Sequence, residues 1–353
     1  MSVQRGYILI TGGAGFIGTN VARSYLQQDQ PVHILDNLSR DGVEDNVEEL
    51  QRRYPGRVLF TRASVCDPDE VRKAVQSASA VYHFAAQVAV TTSLSDPVHD
   101  FRTNLIGTLN IMEAIRSSDS PPALLFTSTN KVYGKLDNVP LRRRGDRWEP
   151  ESPSLAASGI SEEQSLAFLS PYGCSKGAAD QYVLDYARSY GIRATVFRMS
   201  CIYGHHQLGS EDQGWVAHFV RQALKGEPIT IYGDGKQVRD LLFVDDLVRA
   251  MQLAQENMSI AAGEPFNLGG GAVNSTSLLE LLDEIQRLTA RPLFINWGAE
   301  RLGDQKWYVA DTSKIRNKLG WTPATSIRDG IRTLYDWYRQ HPWLVEQSKV
   351  MVA

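Results

Sequence analysis

"ITGGAGFIGTN" (Ile10–Asn20) decides how the rest of the chain is read. It follows the apolar run "YILIT" (7–11) and opens the amphipathic stretch "GFIGTNVARSYLQQ". Gly13, Gly15 and Gly18 satisfy G-x-G-x-x-G, while Gly12, Gly15 and Gly18 satisfy G-x-x-G-x-x-G. Either spacing brings backbone amides close to a phosphate at the positive end of a helix dipole, with no Cβ in the way. Alone such a string is weak; between a strand and a helix it predicts a dinucleotide-binding turn.

Working outward, "PVHIL" (31–35), "VLFTR" (58–62), "AVYHFA" (80–85) and "ALLFTS" (123–128) are further short runs rich in branched and aromatic residues. Each reads as a buried parallel strand. Helical patterns such as "DFRTNLIGTLNIMEAIRSS" lie between them, so the fold class is α/β, a doubly wound parallel (Rossmann) sheet with a smaller C-terminal α/β domain. The second strand ends at Asp36, where a carboxylate accepts hydrogen bonds from an adenosine ribose and repels a 2′-phosphate. That favours NAD over NADP, with Arg40 nearby weighing the other way.

After Val132 the alternation breaks, and "LRRRGDRWEPESPSLAASG" (141–159) reads as a long excursion without periodicity. Helix resumes at "SPYGCSKGAADQYVLDYARSYG", then strand at "RATVFRMS", then helices over 216–225 and 275–289, the last with a serine or threonine cap.

The 353 residues, 42% hydrophobic and 22% charged, can bury a sizeable core. A formal net charge of −3 gives no general attraction for nucleic acid or anionic lipid. Cys66, Cys174 and Cys201 are too scattered for a disulfide framework or a zinc site, and no metal is expected; Cys174 reads as a small buried packing thiol. "MSVQRGYILITGG" is too short an apolar run for a signal peptide, no stretch reaches membrane-spanning length, and a cytoplasmic setting is expected.

"SPYGCSKGAAD" (170–180) places Tyr172 and Lys176 four residues apart, on one face of a helix. An isolated pair of this kind is ordinary surface. Here "FTSTNKVYG" (126–134) also puts Ser128 and Thr129 at the end of a strand, where doubly wound sheets bind ligands. A phenol, whose pKa is normally about 10, could then act as a base if a lysine ammonium held it acidic.

The order of glycine turn, acidic strand end, hydroxyl-bearing strand end and Tyr-x-x-x-Lys resembles the extended short-chain dehydrogenase/reductase family, from about residue 7 to 340. The resemblance implies bound NAD, a nucleotide-sugar substrate and a homodimer. It implies Thr129, Tyr172 and Lys176 as proton relay, acid/base and tuning lysine. For the cofactor it implies Gly12, Gly15, Phe16, Ile17 and Gly18 at the pyrophosphate, and Asp36, Asn37, Ser39 and Arg40 at the ribose. Ser64 and Val65 fall at the adenine, although the family has an aspartate where Ser64 stands. Ala85, Ala86, Gln87, Asn104, Thr127 and Ser200 complete that set, with Tyr172 and Lys176 touching the cofactor too. "YGDGKQVRDLLFVDDL" and "RLGDQKWYVADTSKIRNKLGW" are similar to the family's substrate motifs. They imply Arg239 and Arg301 on a diphosphate, with Gln87, Thr129, Asn130, Cys201, Gln213 and Asp304 around the substrate.

Residues 1–200, with 235–258 returning, are expected to form the NAD-binding domain, and 201–234 with 259–345 the nucleotide-sugar domain. "STNKVYG", "FRMSCIYG" and "EDQGWVAHF" are similar to the branch that inverts C2 of CDP-linked deoxyhexoses through a transient keto-sugar. The dehydratase branch has an acidic pair after the relay hydroxyl, where Asn130 and Lys131 stand here. A 4-epimerase, a nucleotide-glucuronic acid decarboxylase and a non-catalytic NAD-sensing regulator remain as alternatives.

Overall fold

The structure is a computed structural model that describes residues 6–301 and 304–346. Met1–Arg5 of the stretch weighed as a leader, and Leu302 and Gly303 of the C-terminal motif, lie outside the described residues. The chain divides into two compact units: Met1–Thr129, Ser170–Arg198 and Val248–Phe266, and Asn130–Leu169, Met199–Leu247 and Asn267–Ala353.

In the first unit the glycine turn opens a central seven-stranded sheet, ordered Pro265–Leu268, Ala194–Met199, Ala123–Thr129, Ala78–His83, Tyr7–Thr11, Val32–Asp36, Val58–Arg62. The first five strands in the chain pair in parallel. Four are mostly buried, but Val58–Arg62, expected as a buried strand, is the sheet edge and leaves Leu59 exposed. Strand order reverses beside Tyr7–Thr11, with Ala78–His83 on one side and Val32–Asp36 on the other. The carboxyl ends of strands at such a switch point form a crevice. Leu9, Val81, Leu124 and Phe126 on the sheet pack with Ile111 and Ile115 of helix Gly107–Arg116 and Val183 of helix Ser170–Tyr190. The Asp180 carboxylate takes two 3.0 Å hydrogen bonds from the Arg198 guanidinium, tying that last helix to its neighbouring strand inside the core.

The stretch "DFRTNLIGTLNIMEAIRSS", expected as one helix, changes winding. Pro97–Phe101 is α-helical, Arg102–Ile106 is π-helical and Gly107–Arg116 is α-helical again. The π segment carries Asn104.

The second unit has its own core of Tyr203, Phe219, Ile231, Leu241, Ile285, Leu334 and Tyr338. Strand Val238–Phe243 lies at its centre, paired with Ser275–Ser277, Trp307–Tyr308 and Cys201–Tyr203. The expected helix over 275–289 begins at Leu278, because Ser275–Ser277 is spent in the sheet. Ser277 caps it in a reciprocal box with Glu280.

Three expectations need correction. Residues 141–150 are not an excursion but a hairpin, Leu141–Arg144 against Arg147–Pro150, closed by Gly145 (φ 59°) and Asp146. Arg142 pairs with Glu149, and Arg143 lies 4.8 Å over the Trp148 ring. Cys174 is exposed rather than buried. The unit boundaries also differ from the expected domains. Residues 130–169 and 235–247 belong to the second unit, since Val132, Tyr133 and Val238 share its apolar cluster with Trp307 and Tyr308. Val248–Phe266 belongs to the first. Among the described residues no helix is long and apolar enough to cross a membrane.

Candidate active site

The glycine turn is closely packed on the strand ends around it. Gly12 has φ +67°, and a Cβ there would lie 2.6 Å from the Ala85 nitrogen. A Cβ on Gly18 would lie 2.5 Å from the Gly12 carbonyl oxygen, so its absence lets the helix start close to the strand. A Cβ on Gly13 would lie 2.9 Å from the Ile10 carbonyl oxygen, and one on Gly15 3.3 Å from that of Gly12, so all four glycines leave room for the turn. Helix Phe16–Gln27 begins at Gly15 with no side-chain cap and no acidic residue in its first turn. Its first amides, those of Phe16 and Ile17 included, face an N-terminus suited to an anion.

Asp36 fixes the turn from the next strand. One carboxylate oxygen accepts from the Ala14 amide (3.1 Å) and the other from the Leu38 amide (2.9 Å). Burial pushes its pKa up, against these hydrogen bonds and the Arg40 charge. Asn37 Oδ1 takes the Ser39 amide at 3.1 Å. Arg40 acts electrostatically on both Asp36 and Tyr172.

Behind the turn runs a directed hydrogen-bond chain. Thr108 gives its one hydroxyl proton to the Asn104 carbonyl (2.6 Å), so it accepts from His83 Nε2 (3.0 Å), which must carry the proton. His83 Nδ1 then accepts from Thr11 Oγ1, itself acceptor for the Ala85 amide. Burial, and next the Lys176 charge, lower His83 to about 3, consistent with a neutral ring. Asn104 continues the chain: its Oδ1 takes the Gln87 amide, and its Nδ2 reaches the Gln87 carbonyl, Asp100 and Ser175. Asn104, expected in the cofactor set, links the Gln87 backbone to Ser175 of helix Ser170–Tyr190. Gln87 Oε1 and Ser128 Oγ are buried without a hydrogen-bond partner among the described residues. Thr127 Oγ1 donates to the His83 carbonyl.

Tyr172 and Lys176 lie on helix Ser170–Tyr190, both buried. The phenol hydrogen-bonds Thr129, and that bond and Arg40 pull its pKa down, but burial outweighs them and pushes it up to about 12. Lys176 is not among the groups that acidify it. Its ammonium sits 4.3 Å over the Phe126 ring, and burial lowers it to about 7 against Asp180 and Asp100. Burial is thus the largest influence on the Tyr172 phenol in the protein alone.

Of the two residues expected at the adenine, Ser64 Oγ accepts from the Cys66 amide and Val65 is buried with a methyl against Gly107. Gly12, Gly15, Gly18, Asp36, the 85–87 turn, Thr129, Tyr172 and Lys176 all belong to the first unit. An uncapped helix start beside a glycine cradle, a ribose-directed carboxylate and an unpartnered buried Gln87 oxygen fit a dinucleotide.

The second unit holds the other expected residues. Arg239 Nη2 bonds Asp304 Oδ1 at 2.6 Å, and Lys131 Nζ reaches the same oxygen at 3.5 Å. Asn130 Nδ2 bonds Gln305 Oε1. Cys201 accepts from the Trp215 indole at 3.5 Å, and burial raises its pKa, keeping it a thiol. Arg301 lies 3.9 Å over the Tyr232 ring and bonds the Glu211 carbonyl and Asp212, while Gln213 closes the same loop on Ser210. Ser200, expected with the cofactor set, falls in this unit and binds Asp240. Sequence reading passed over Lys131 and His83. The ammonium two residues beyond the relay hydroxyl was the available signal for the first, and nothing in the local pattern marked the second.

The model of the NAD dependent epimerase/dehydratase family matches residues 8–269. Over 94% of this chain and 98% of the relative, the sequence is 40% identical to a CDP-paratose 2-epimerase of Salmonella typhi. It is 31% identical to a dTDP-glucose 4,6-dehydratase of Salmonella typhimurium, over 97% of this chain and 95% of the other. Among solved structures, a UDP-glucose 4-epimerase from Thermotoga maritima with UDP-glucose is 30% identical, with a TM-score of 0.81 over 95% of this chain and 99% of that one. A Thermus thermophilus UDP-glucose 4-epimerase in complex with NAD is 31% identical, with a TM-score of 0.78 over 94% and 99%.

Proposed function

We propose that this chain, which belongs to the NAD dependent epimerase/dehydratase family, inverts C2 of a CDP-linked deoxyhexose without net oxidation. The observation that carries the reading is the Thr129–Tyr172 hydrogen bond beside a buried Lys176, followed in the chain by Asn130 and Lys131. Tyr172 takes the proton of a sugar hydroxyl and Thr129 steadies the phenol oxygen. With no carboxylate at 130 or 131, the residues that follow the relay cannot drive loss of water, which favours epimerase over dehydratase chemistry.

NAD, when bound, would supply the oxidation at the sugar carbon and its reversal. The amides of Phe16 and Ile17, the Asp36 carboxylate and the 85–87 turn would hold it. Tyr172 must lose a proton that burial keeps in place in the protein alone, so the phenol becomes a base only when a further positive charge joins Arg40 near it. We assign Arg239 and Arg301 to the diphosphate, because guanidinium binds phosphate oxygens bidentately. The choice of C2 and of cytidine is supported by the 40% identical relative.

We also assign the exposed stripe of helix Ser170–Tyr190, with Cys174, Gln181, Tyr182 and Asp185, and the exposed Leu94, Val98 and Phe101, to a homodimer contact. Sedimentation tests that assignment, and a monomer at all concentrations would refute it. Incubating the protein with CDP-, UDP-, GDP- and dTDP-sugars and reading products by NMR tests the reaction. Inversion at C2 with unchanged mass is expected. Inversion at C4, or loss of a carbon, overturns it.

A further inference from the structure

His83 closes strand Ala78–His83, beside the point where the strand order reverses, and is 1% exposed. An imidazole buried that deeply has to satisfy both ring nitrogens. It does so in opposite senses. Nδ1 accepts from the Thr11 hydroxyl at 2.6 Å, and Nε2 donates to Thr108 at 3.0 Å, whose own proton goes to the Asn104 carbonyl. The backbone takes part too, since the His83 carbonyl accepts from Thr127 Oγ1 at 3.2 Å.

Both ends of this chain reach the 84–87 turn. At one end the Thr11 hydroxyl receives the Ala85 amide (3.4 Å) and the Thr11 carbonyl receives the Phe84 amide (3.0 Å). At the other, Asn104 Oδ1 takes the Gln87 amide (2.9 Å) and its Nδ2 donates to the Gln87 carbonyl (3.0 Å). Two residues joined through His83 therefore grip the turn fore and aft. On its third side the turn meets the glycine turn, where a Cβ on Gly12 would lie 2.6 Å from the Ala85 nitrogen. Asn104 Nδ2 also bonds Ser175 Oγ at 3.0 Å, one residue before Lys176 on the helix that carries Tyr172. An apolar side chain of the same volume would fill the space and leave the two threonine hydroxyls unlinked.

We propose that His83 is a positioning residue for NAD, which as the neutral, Nε2-protonated tautomer fixes the 84–87 turn relative to the helix bearing Tyr172. It acts through Thr11 and Asn104. The inference rests on the dinucleotide reading of the crevice and is independent of which sugar reacts. One tautomer is required. Protonating Nδ1 would turn it from acceptor to donor, against a Thr11 oxygen that already receives the Ala85 amide.

The link is cut at Thr108 rather than at His83, because removing a fully buried ring would also open a cavity. NAD affinity is measured by calorimetry, on protein freed of nucleotide, for wild type, Thr108→Val and Thr108→Ser, with thermal melting alongside. Thr108→Val keeps the branched shape and loses the hydroxyl. It is expected to bind NAD about 10-fold more weakly, since a turn no longer held in its binding conformation must be ordered by the ligand. Thr108→Ser keeps the hydroxyl and should stay within about threefold of wild type. A Thr108→Val protein that melts earlier yet binds NAD as wild type does would reduce the chain to packing and overturn the proposal. So would a Thr108→Ser variant as weak as Thr108→Val, since the hydroxyl would then be irrelevant. The second readout is the ring itself. Nitrogen-15 spectra, with the His83 signals identified by their loss in His83→Gln, should show a neutral imidazole protonated at Nε2. A ring protonated at Nδ1, or an imidazolium at neutral pH, would overturn the proposal alone. Wild type that binds no NAD would overturn the dinucleotide reading, and this inference with it.

Discussion

Tyr172 and Arg239 are both buried, yet the polar groups around the first are almost fully enclosed and those around the second are partly exposed. The two sets are solved in opposite ways. Near Tyr172 ionisation is suppressed: His83 is neutral, the phenol keeps its proton, and Lys176 is lowered to about 7. Directed hydrogen bonds through Thr11, His83, Thr108 and Asn104 do the holding. Around Arg239 charge is kept, as ion pairs to Asp304, with Arg301 on Asp212 in the same unit. A group that must exchange a proton has to lie near the balance between its two forms. A group that must hold a phosphate gains from staying charged.

Variants can break that contrast. The largest effect is expected for Tyr172→Phe, which removes the proton-exchanging oxygen and leaves the ring. Turnover should fall about 10²–10⁴-fold with NAD binding retained; a variant with normal kcat would end the acid/base assignment. Next comes Arg198→Met, which strands the fully buried Asp180 carboxylate under the helix carrying Tyr172. Urea melts should show a loss of about 3–5 kcal/mol.

Lys176 sharpens the comparison through pH. Its folded pKa lies below the unfolded lysine value of 10.5, so its contribution favours the fold above 10.5 and is lost as pH falls toward 7. Melting temperatures of wild type relative to Lys176→Met should therefore drop between pH 10.5 and 7, by the equivalent of a few kcal/mol, and level off below. A flat difference would mean the ammonium is solvated. The smallest effect is expected far from either site: Ser277→Ala removes half of a capping box and should cost about 1 kcal/mol.

Much of the first unit was legible because buried parallel strands are uninterrupted apolar runs. "YILIT" corresponds to the buried strand Tyr7–Thr11 without adjustment, whereas "VLFTR" has the expected bounds Val58–Arg62 but forms a partly exposed sheet edge. The glycine turn and the Tyr172–Lys176 pair were legible because helix and turn geometry fix their spacing locally. The hairpin at 141–150 was not, since its strands are arginine-rich and are held by Glu149, Trp148 and Asp234 rather than by an apolar face. Nor was the acidity of Tyr172. The sequence shows a lysine four residues away, but desolvation depends on everything packed around both groups, and in the protein alone it is the largest influence on the phenol. The Arg239–Asp304–Lys131 cluster joins positions more than a hundred residues apart, a proximity that no local pattern encodes.

The π-helical turn at Arg102–Ile106 amounts to one residue more than a regular helix would hold. An α-helix rotates about 100° per residue. Deleting a single position between Asp100 and Asn104 would restore regular winding and swing the Asn104 amide away from the Gln87 backbone it now clasps. The grip on that turn thus depends on the number of residues before Asn104 as well as on the Asn104 side chain itself.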